Sequence, residues 1–137
     1  MPECLFCKIV RGEIPALTVA EDDETMAFLD IHPRAPGHTV VISKHHSETL
    51  LDLSDDNVAA LFRAVKTVSG RVLAALRADG ATIGVNHGEV SGQVVPHLHV
   101  HILPRFTGDG GDSIQSVVSN QPKESLEEMV ERIRKQK

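Results

Sequence analysis

Three histidines alternate with aliphatic residues in the stretch VVPHLHVHILPR, which spans residues 94–105. Side chains at positions i, i+2 and i+4 leave a β-strand on the same face. The spacing therefore predicts that His97, His99 and His101 line one face of a strand, about 7 Å between neighbours. The aliphatic residues that follow each histidine would then point to the opposite face, into a core.

Imidazoles in this arrangement are suited to three roles. Neutral imidazole is a common zinc ligand, and it is also a nucleophile that attacks phosphorus at neutral pH. The third possibility is a polar strand face without chemistry, whose side chains bond to water or backbone groups. Because three buried imidazoles would each need a partner, the pattern favours chemistry.

A second group with ligand chemistry is the pair Cys4-x-x-Cys7. The N-terminal stretch MPECLFCKIVRGE lacks the long apolar segment of a signal peptide, and no apolar run approaches membrane-spanning length. We therefore expect a cytoplasmic protein that does not bind membranes. In that compartment the pair indicates a metal or redox site rather than a structural disulfide.

Length and composition limit the classes of protein that fit. A chain of 137 residues is expected to form a single domain over residues 1–137. The content of 41% hydrophobic and 24% charged residues is typical of a globular protein. The formal charge of −5 and the lack of a basic stripe are evidence against a nucleic-acid partner.

Local patterns predict the elements that position these residues. A short helix over LFCKIVRGE ends near Gly12, and strands cover LTVAED, TMAFLDI, GHTVVISK, ATIGVN and HLHVHIL. Ser54 caps a long helix that ends before Gly80, and Ser125 and Glu128 form a capping box for a C-terminal helix. Sequential strands with few helices predict an α+β fold with a mostly antiparallel, five-stranded sheet.

The HLHVHIL stretch resembles the signature of the histidine triad family of nucleotide hydrolases and transferases, His-φ-His-φ-His-φ-φ. The resemblance extends to CKIVRGEIP, AFLDIHPRAPGHTVVISKHH, VNHGEVSGQ and HILPR, in the family's order and spacing, and covers most of residues 4–105. It implies a HIT-like fold, a purine nucleotide substrate, and a homodimer in which two sheets join edge to edge.

The resemblance implies a catalytic set of four histidines. His99 matches the nucleophile, which would attack the α-phosphorus of a nucleotide and form a covalent nucleotidyl-histidine that water then hydrolyses. His101 is expected to donate to the phosphate or to assist the leaving group. His38 joins the set from another strand, and His97 is its first member in the triad.

The resemblance also implies residues that bind the nucleotide. Asp30 stands where the family binds the ribose hydroxyls, and Asn86 matches a polar residue beside the phosphate. Gly92 and Gln93 match a loop whose backbone N–H groups approach the phosphate, which glycine permits. Ordinary core packing is the alternative for the residues that match the apolar base pocket, which are Phe6, Ile9, Phe28 and Ile31.

The cysteine pair is similar to that of some bacterial histidine triad proteins, which complete a tetrahedral zinc site with two histidines. The matching residues here are Cys4, Cys7, His46 and His97. A closed set of two cysteines and two histidines would be a structural site that holds one zinc ion per chain. The neighbouring His45 is the alternative to His46.

One departure from the family bears on the reaction. Many members carry Ser or Thr after the GQ pair, whereas this chain has Val94, so a hydroxyl that could assist an amine leaving group is missing. The leading prediction is hydrolysis of purine nucleoside phosphoramidates. The alternatives are a dinucleoside polyphosphate hydrolase of the Fhit type, whose tail LPRFTGDGGDSI resembles, a zinc-bearing nucleotide-binding module with little turnover, and a redox protein that uses the cysteine pair.

Overall fold

The alternating stretches assemble into one antiparallel sheet in a computed structural model, which describes residues 3–136. The strand order is β1-β2-β3-β5-β4, and every pair of neighbours is antiparallel. The predicted α+β fold with five strands, one long helix and one C-terminal helix is confirmed. The bounds are β1 Thr18–Glu21, β2 Thr25–Leu29, β3 Thr39–Ser43, β4 Gly80–Gly84, β5 His99–Arg105, α1 Leu5–Val10, α2 Asp55–Leu76 and α3 Leu126–Lys135.

The long helix α2 covers one face of the sheet. Its N-terminus is capped as predicted, since the Ser54 Oγ accepts a hydrogen bond from the Asn57 N–H at 3.2 Å. Its C-terminus differs from the prediction: Arg77 adopts a left-handed φ of 52° and ends the helix, while Gly80 begins β4. The apolar stripe of α2 packs on the alternate residues of β5 in a core that contains Leu61, Val65, Val68, Val72, Leu98, Val100 and Ile102.

The short helix α1 covers the opposite face of the sheet. It ends at Val10, slightly before the predicted Gly12, whose positive φ of 77° is left-handed. Its apolar side packs on β2 and β3 in a second cluster, made of Cys4, Phe6, Cys7, Ile9, Met26, Phe28, Val40 and Ile42. The packing of α1 therefore brings the cysteine pair to the face of the sheet that carries the histidines.

The histidine strand begins later than the alternation predicts. β5 starts at His99, whereas His97 and Leu98 precede it. Their backbone N–H groups donate outside the ladder, from His97 to Val95 O at 2.8 Å and from Leu98 to Ser47 O at 2.7 Å. The aliphatic residues between the histidines do point into the α2 core, as predicted.

The C-terminal helix α3 begins with the predicted capping box. The Glu128 N–H donates to Ser125 Oγ at 3.1 Å, and the Ser125 N–H donates to Glu128 Oε1 at 3.2 Å. The apolar side chains of Leu126, Val130 and Ile133 are exposed. Within residues 3–136 there is no helix with the length and apolar character needed to cross a membrane.

Candidate functional site

His99 lies at the start of β5, and a backbone carbonyl fixes its ring. The Nδ1 atom is 2.7 Å from the carbonyl oxygen of His97. Because a carbonyl only accepts, Nδ1 carries the proton and donates, so the neutral ring keeps a lone pair on Nε2. Phe6 packs edge-on against the ring, with centroids 5.1 Å apart. This arrangement presents Nε2 as a nucleophile.

His38 and His101 form a hydrogen-bonded pair beside the nucleophile. The Arg34 N–H donates to His38 Nδ1 at 3.1 Å, so the proton of the neutral His38 ring is on Nε2. That Nε2–H lies 2.9 Å from His101 Nδ1, which therefore accepts. The His101 proton is then on Nε2, and the ring centroids of His99 and His101 are 5.0 Å apart. The chain of bonds leaves one donor, His101 Nε2–H, next to one lone pair on His99.

Burial keeps both rings of this pair neutral. Burial lowers the pKa of His101 to about 4, and the nearby His99 and His38 act in the same direction, against Asp30. Burial also lowers the pKa of His38, although the Asp30 carboxylate opposes the shift. The pair is therefore a neutral hydrogen-bond relay at physiological pH rather than a pair of cations.

Asp30 follows β2 and faces this pair from the neighbouring strand. Its Oδ1 accepts from the His32 N–H at 2.8 Å, and its Oδ2 lies 3.5 Å from His38 Nε2. Asp30, Arg34 and His38 line a cavity of about 420 Å³ formed by the β2–β3 loop. The structure thus brings the residue predicted to bind the ribose next to the catalytic histidines.

Three of the four residues predicted for the base pocket lie together. Phe6, Ile9 and Phe28 are buried in the cluster under α1, and the ring centroids of Phe6 and Phe28 are 5.4 Å apart. Ile31 lies apart from them, 79% exposed, after the end of β2. The buried three contribute to the core as well as to the wall beside His99.

A cluster of cysteines and histidines joins α1 to the residue before β5. The Cys4 Sγ is 3.4 Å from His97 Nδ1, and the Cys7 Sγ is 3.2 Å from His46 Nδ1 and 3.6 Å from His97 Nδ1. All four ligand atoms lie within 4.8 Å of one another. Ligands around a tetrahedral zinc ion are separated by about 3.3–3.8 Å, given bonds of about 2.0–2.3 Å, so the spacing fits this metal.

The hydrogen bonds around the cluster leave the right atoms for a metal. His97 is fully buried, and its Nε2 donates to the Ser43 carbonyl oxygen at 2.9 Å, so the Nδ1 lone pair faces the thiols. Burial and the neighbouring Cys4 raise the pKa of the Cys7 thiol, so a thiolate here needs a cation. The alternative ligand, His45, is outside the cluster, with its Nε2 2.6 Å from Glu24 Oε2.

The loop between β4 and β5 is held by the Gln93 side chain. Its Oε1 accepts from the Gly88 N–H at 2.8 Å, and its Nε2 donates to two backbone carbonyls. The backbone N–H groups of Gly92 and Gln93 donate to Glu89 O at 3.0 Å and to Gly88 O at 3.2 Å. In this structure the two N–H groups predicted to approach the phosphate are therefore engaged inside the loop.

The HIT domain family matches residues 11–108, which include all four histidines of the predicted catalytic set. An uncharacterized HIT-like protein of Methanocaldococcus jannaschii is 49% identical over 107 residues, 78% of this chain and 82% of that protein. The chain belongs to the HIT family. Cys4 and Cys7 precede the matched residues, so their assignment as ligands rests on the geometry of the cluster.

Two further HIT proteins bear on the two parts of the site. The adenosine 5′-monophosphoramidase hnt1 of Schizosaccharomyces pombe is 39% identical over 102 residues, 74% of each chain. A crystal structure of a zinc-bound histidine triad family protein from Mycobacterium smegmatis is 35% identical, with a TM-score of 0.73, and covers 90% of this chain and 85% of that chain.

Sequence reasoning missed two backbone donors of this HIT protein. The N–H groups of Val94 and Val95 have no hydrogen-bond acceptor among residues 3–136, and the Val94 side chain is 89% exposed. Asn86 lies beside this loop, since a Cβ at Gly92 would be 3.8 Å from the Asn86 Nδ2. Every non-proline residue carries an N–H, so only the hydrogen bonds of the folded loop distinguish these two.

The His101 ring of the HIT protein is expected to titrate with a pKa of about 4, below the ordinary value of about 6.5. The unfolded chain then binds more protons between these values, so the free energy of unfolding should fall as the pH falls from about 6.5 to about 4. NMR titration of the ring resonances measures the pKa directly. Asp30→Asn should lower it further, because the carboxylate raises it; a His101 pKa near 6.5 in the wild type would contradict the assignment.

Proposed function

We propose that this HIT protein hydrolyses purine nucleoside phosphoramidates, in which AMP is joined to an amine, through a covalent nucleotidyl-histidine on His99. The hydrogen bond from His99 Nδ1–H to the His97 carbonyl oxygen carries the proposal, because it leaves Nε2 as the nucleophile. In the first step Nε2 bonds to the α-phosphorus, and the bond between phosphorus and the amine nitrogen breaks. In the second step water adds to phosphorus, the bond to His99 breaks and AMP is released.

The pair His38 and His101 supports this chemistry by supplying one oriented donor. The His101 Nε2–H can donate to a phosphoryl oxygen or to the departing amine, and the bond from His38 to His101 Nδ1 holds the ring in the tautomer that allows it. A neutral donor is expected to stabilise the charge that develops at phosphorus without competing for the nucleophile's lone pair. His97 contributes through its carbonyl oxygen rather than through its ring.

The nucleotide would lie across the two neighbouring strands. We assign the ribose hydroxyls to Asp30, whose carboxylate accepts from two vicinal hydroxyls, and the phosphate to Asn86 and the loop of Gly92 and Gln93. Within that loop, the N–H groups of Val94 and Val95 are the free donors. The base is assigned to the apolar residues Phe6, Ile9, Phe28 and Ile31.

We further propose one structural zinc ion per chain, bound by Cys4, Cys7, His46 and His97. Four protein ligands leave no open position, so the ion would supply structure rather than an activated water. It would fasten α1 to the chain segment before β5. Because the His97 carbonyl also orients His99, these four residues would support the nucleophile.

The sequence-based proposals about assembly and location are retained. Residues 1–137 are proposed to form one domain of a cytoplasmic protein that acts as a homodimer, without a nucleic-acid or membrane partner. β4 lies at an end of the sheet order and pairs only with β5 among residues 3–136. An unpaired edge of this kind can add the same strand of a second copy.

A dinucleoside polyphosphate hydrolase is the second candidate, and the side chain of Val94 favours it. Val94 has no hydroxyl to assist a departing amine, whereas a polyphosphate departs without a proton. The nucleophile and the covalent intermediate on His99 would be the same in both reactions, so the identity of the leaving group separates the candidates.

Initial rates on two substrates test the proposed function. We expect kcat/KM for adenosine 5′-phosphoramidate to exceed that for diadenosine tetraphosphate by at least about tenfold, measured as AMP release by chromatography. Protein carrying His99→Ala and purified in parallel controls for contaminating hydrolases. The reverse order of rates would favour the polyphosphate reaction, and AMP binding without turnover of either substrate would favour a binding module.

A further inference from the structure

A second cavity, of about 330 Å³, continues the face of the sheet that carries the catalytic histidines. Leu103 and Arg105 of β5 line it from the sheet, and a single-turn 3-10 helix, Ile114–Val117, lines it from the C-terminal segment. We propose that this cavity holds the leaving group of the substrate and selects an amine that carries an aryl or other apolar substituent. This inference rests on the proposed function and names its substrate class.

The register of the sheet places the cavity on the correct side of the reaction centre. Leu103 follows His101 by two residues, so both side chains are on one face of β5. β4 pairs Gly84 with His101 and Thr82 with Leu103, so the cavity begins one residue pair beyond His101. In an in-line displacement the leaving group departs opposite the nucleophile. The cavity lies on the side of His101 that faces away from His99, as that geometry requires.

The 3-10 helix reaches the edge of the catalytic site. A Cβ built on Gly84 would be 3.7 Å from Ile114 Cδ1, and Gly84 is the residue that pairs with His101. Ile114 is 53% exposed, so a ligand in the cavity would cover apolar area that now faces water. Ile114 is therefore the residue best placed to contact a substituent on the departing amine.

The charges of the cavity wall compensate each other. Arg105 donates to both carboxylate oxygens of Asp109, at 2.8 and 3.2 Å, and to Thr82 Oγ1 at 3.0 Å. The Arg105 guanidinium and two backbone N–H groups hold the pKa of the Asp109 carboxyl far below its usual range, so the pair stays ionised and matched. The rest of the lining is largely apolar and includes Ala35, Pro36, Leu103, Phe106, Ile114 and Val117.

The cavity is also continuous with the part of the site assigned to the nucleotide. Arg34, Ala35 and Pro36 line both this cavity and the cavity that contains Asp30 and His38. The Arg34 N–H donates to His38, so the shared wall is anchored to the catalytic pair. A single substrate can therefore place its nucleoside on one side of this loop and its leaving group on the other.

The test compares adenosine 5′-phosphoramidate with its N-benzyl derivative, whose leaving amines have similar basicity. In the wild type, we expect kcat/KM for the benzyl substrate to exceed that for the parent by about tenfold or more. Ile114→Ala should lower this ratio about fivefold, because it removes apolar contact with the ring. Val117→Ser, on the same wall, should lower it in the same direction. Val118→Ala is the matched control, an exposed residue next to the cavity lining, and should keep the wild-type ratio.

The outcomes separate the cavity assignment from the proposed function. A wild type that releases AMP from both substrates with equal kcat/KM, or an Ile114→Ala ratio equal to that of Val118→Ala, overturns the cavity assignment and leaves the hydrolase intact. Release of AMP from neither substrate overturns both. Thermal unfolding of each variant shows whether its fold is preserved, and the ratio within one variant cancels any difference in the active fraction.

Discussion

Replacing His99 with alanine is expected to lower kcat/KM for adenosine 5′-phosphoramidate by at least about 10⁴-fold. The substitution removes the only imidazole nitrogen of the catalytic group whose lone pair the hydrogen bonds leave free, since His101 Nδ1 accepts from His38 and His101 Nε2 carries a proton. The remaining donors can still bind the phosphate, but no covalent intermediate can form. Initial rates of AMP release measure the loss.

Mass spectrometry of a reaction quenched early tests the same assignment by a second route. The wild type should carry one nucleotidyl group on the peptide that contains His99, and the adduct should disappear as AMP accumulates. His99→Ala should show no adduct while it still binds AMP. An adduct on His101 or His38, or full activity of His99→Ala, would refute the assignment of the nucleophile.

The matched control for this variant is His87→Ala. His87 is an exposed histidine in the loop between β4 and β5, close to the site but outside the set of bonded imidazoles. We expect its kcat/KM to stay within about twofold of the wild type, as is usual for an exposed residue without a partner in the site. A comparable loss in both variants would indicate that the loop, and not the His99 lone pair, limits the reaction.

Removal of the metal ligand Cys4 is expected to have the largest effect on stability. The variant Cys4→Ser should purify without zinc and unfold about 10–20 °C below the wild type, because the binding free energy of a structural zinc ion is folding free energy. The effect should be large because the cluster joins α1 to a buried residue 93 positions away. Elemental analysis and thermal unfolding measure the two quantities.

A pair of adjacent histidines provides the control for the metal site. His46→Asn should lose zinc as Cys4→Ser does, since the His46 Nδ1 is 3.2 Å from the Cys7 Sγ. His45→Asn should keep one zinc ion per chain, because the His45 ring bonds to Glu24 instead. Equal stability of the protein with and without metal would contradict a structural role, and zinc loss in His45→Asn alone would move the ligand by one position.

The order of elements follows from local patterns, and sequence reasoning found it for that reason. A strand repeat of two residues and a helical stripe on α2 depend only on near neighbours, as do the caps at Ser54 and Ser125. The residue types in the HLHVHIL and CxxC stretches likewise limit the chemistry to metal binding or nucleophilic attack before any coordinates are known. The element ends were less predictable: Arg77, not a glycine, ends α2.

The state of each functional group depends on partners that are distant in the chain. The tautomer of His38 and His101 depends on a bond across 63 residues, and the choice of His46 over His45 depends on where α1 places Cys7. The free N–H groups of Val94 and Val95, and the approach of Ile114 to Gly84, also arise only when loops pack on the sheet. Hydrogen bonds and close packing between such residues need a fixed tertiary geometry, which no local pattern encodes.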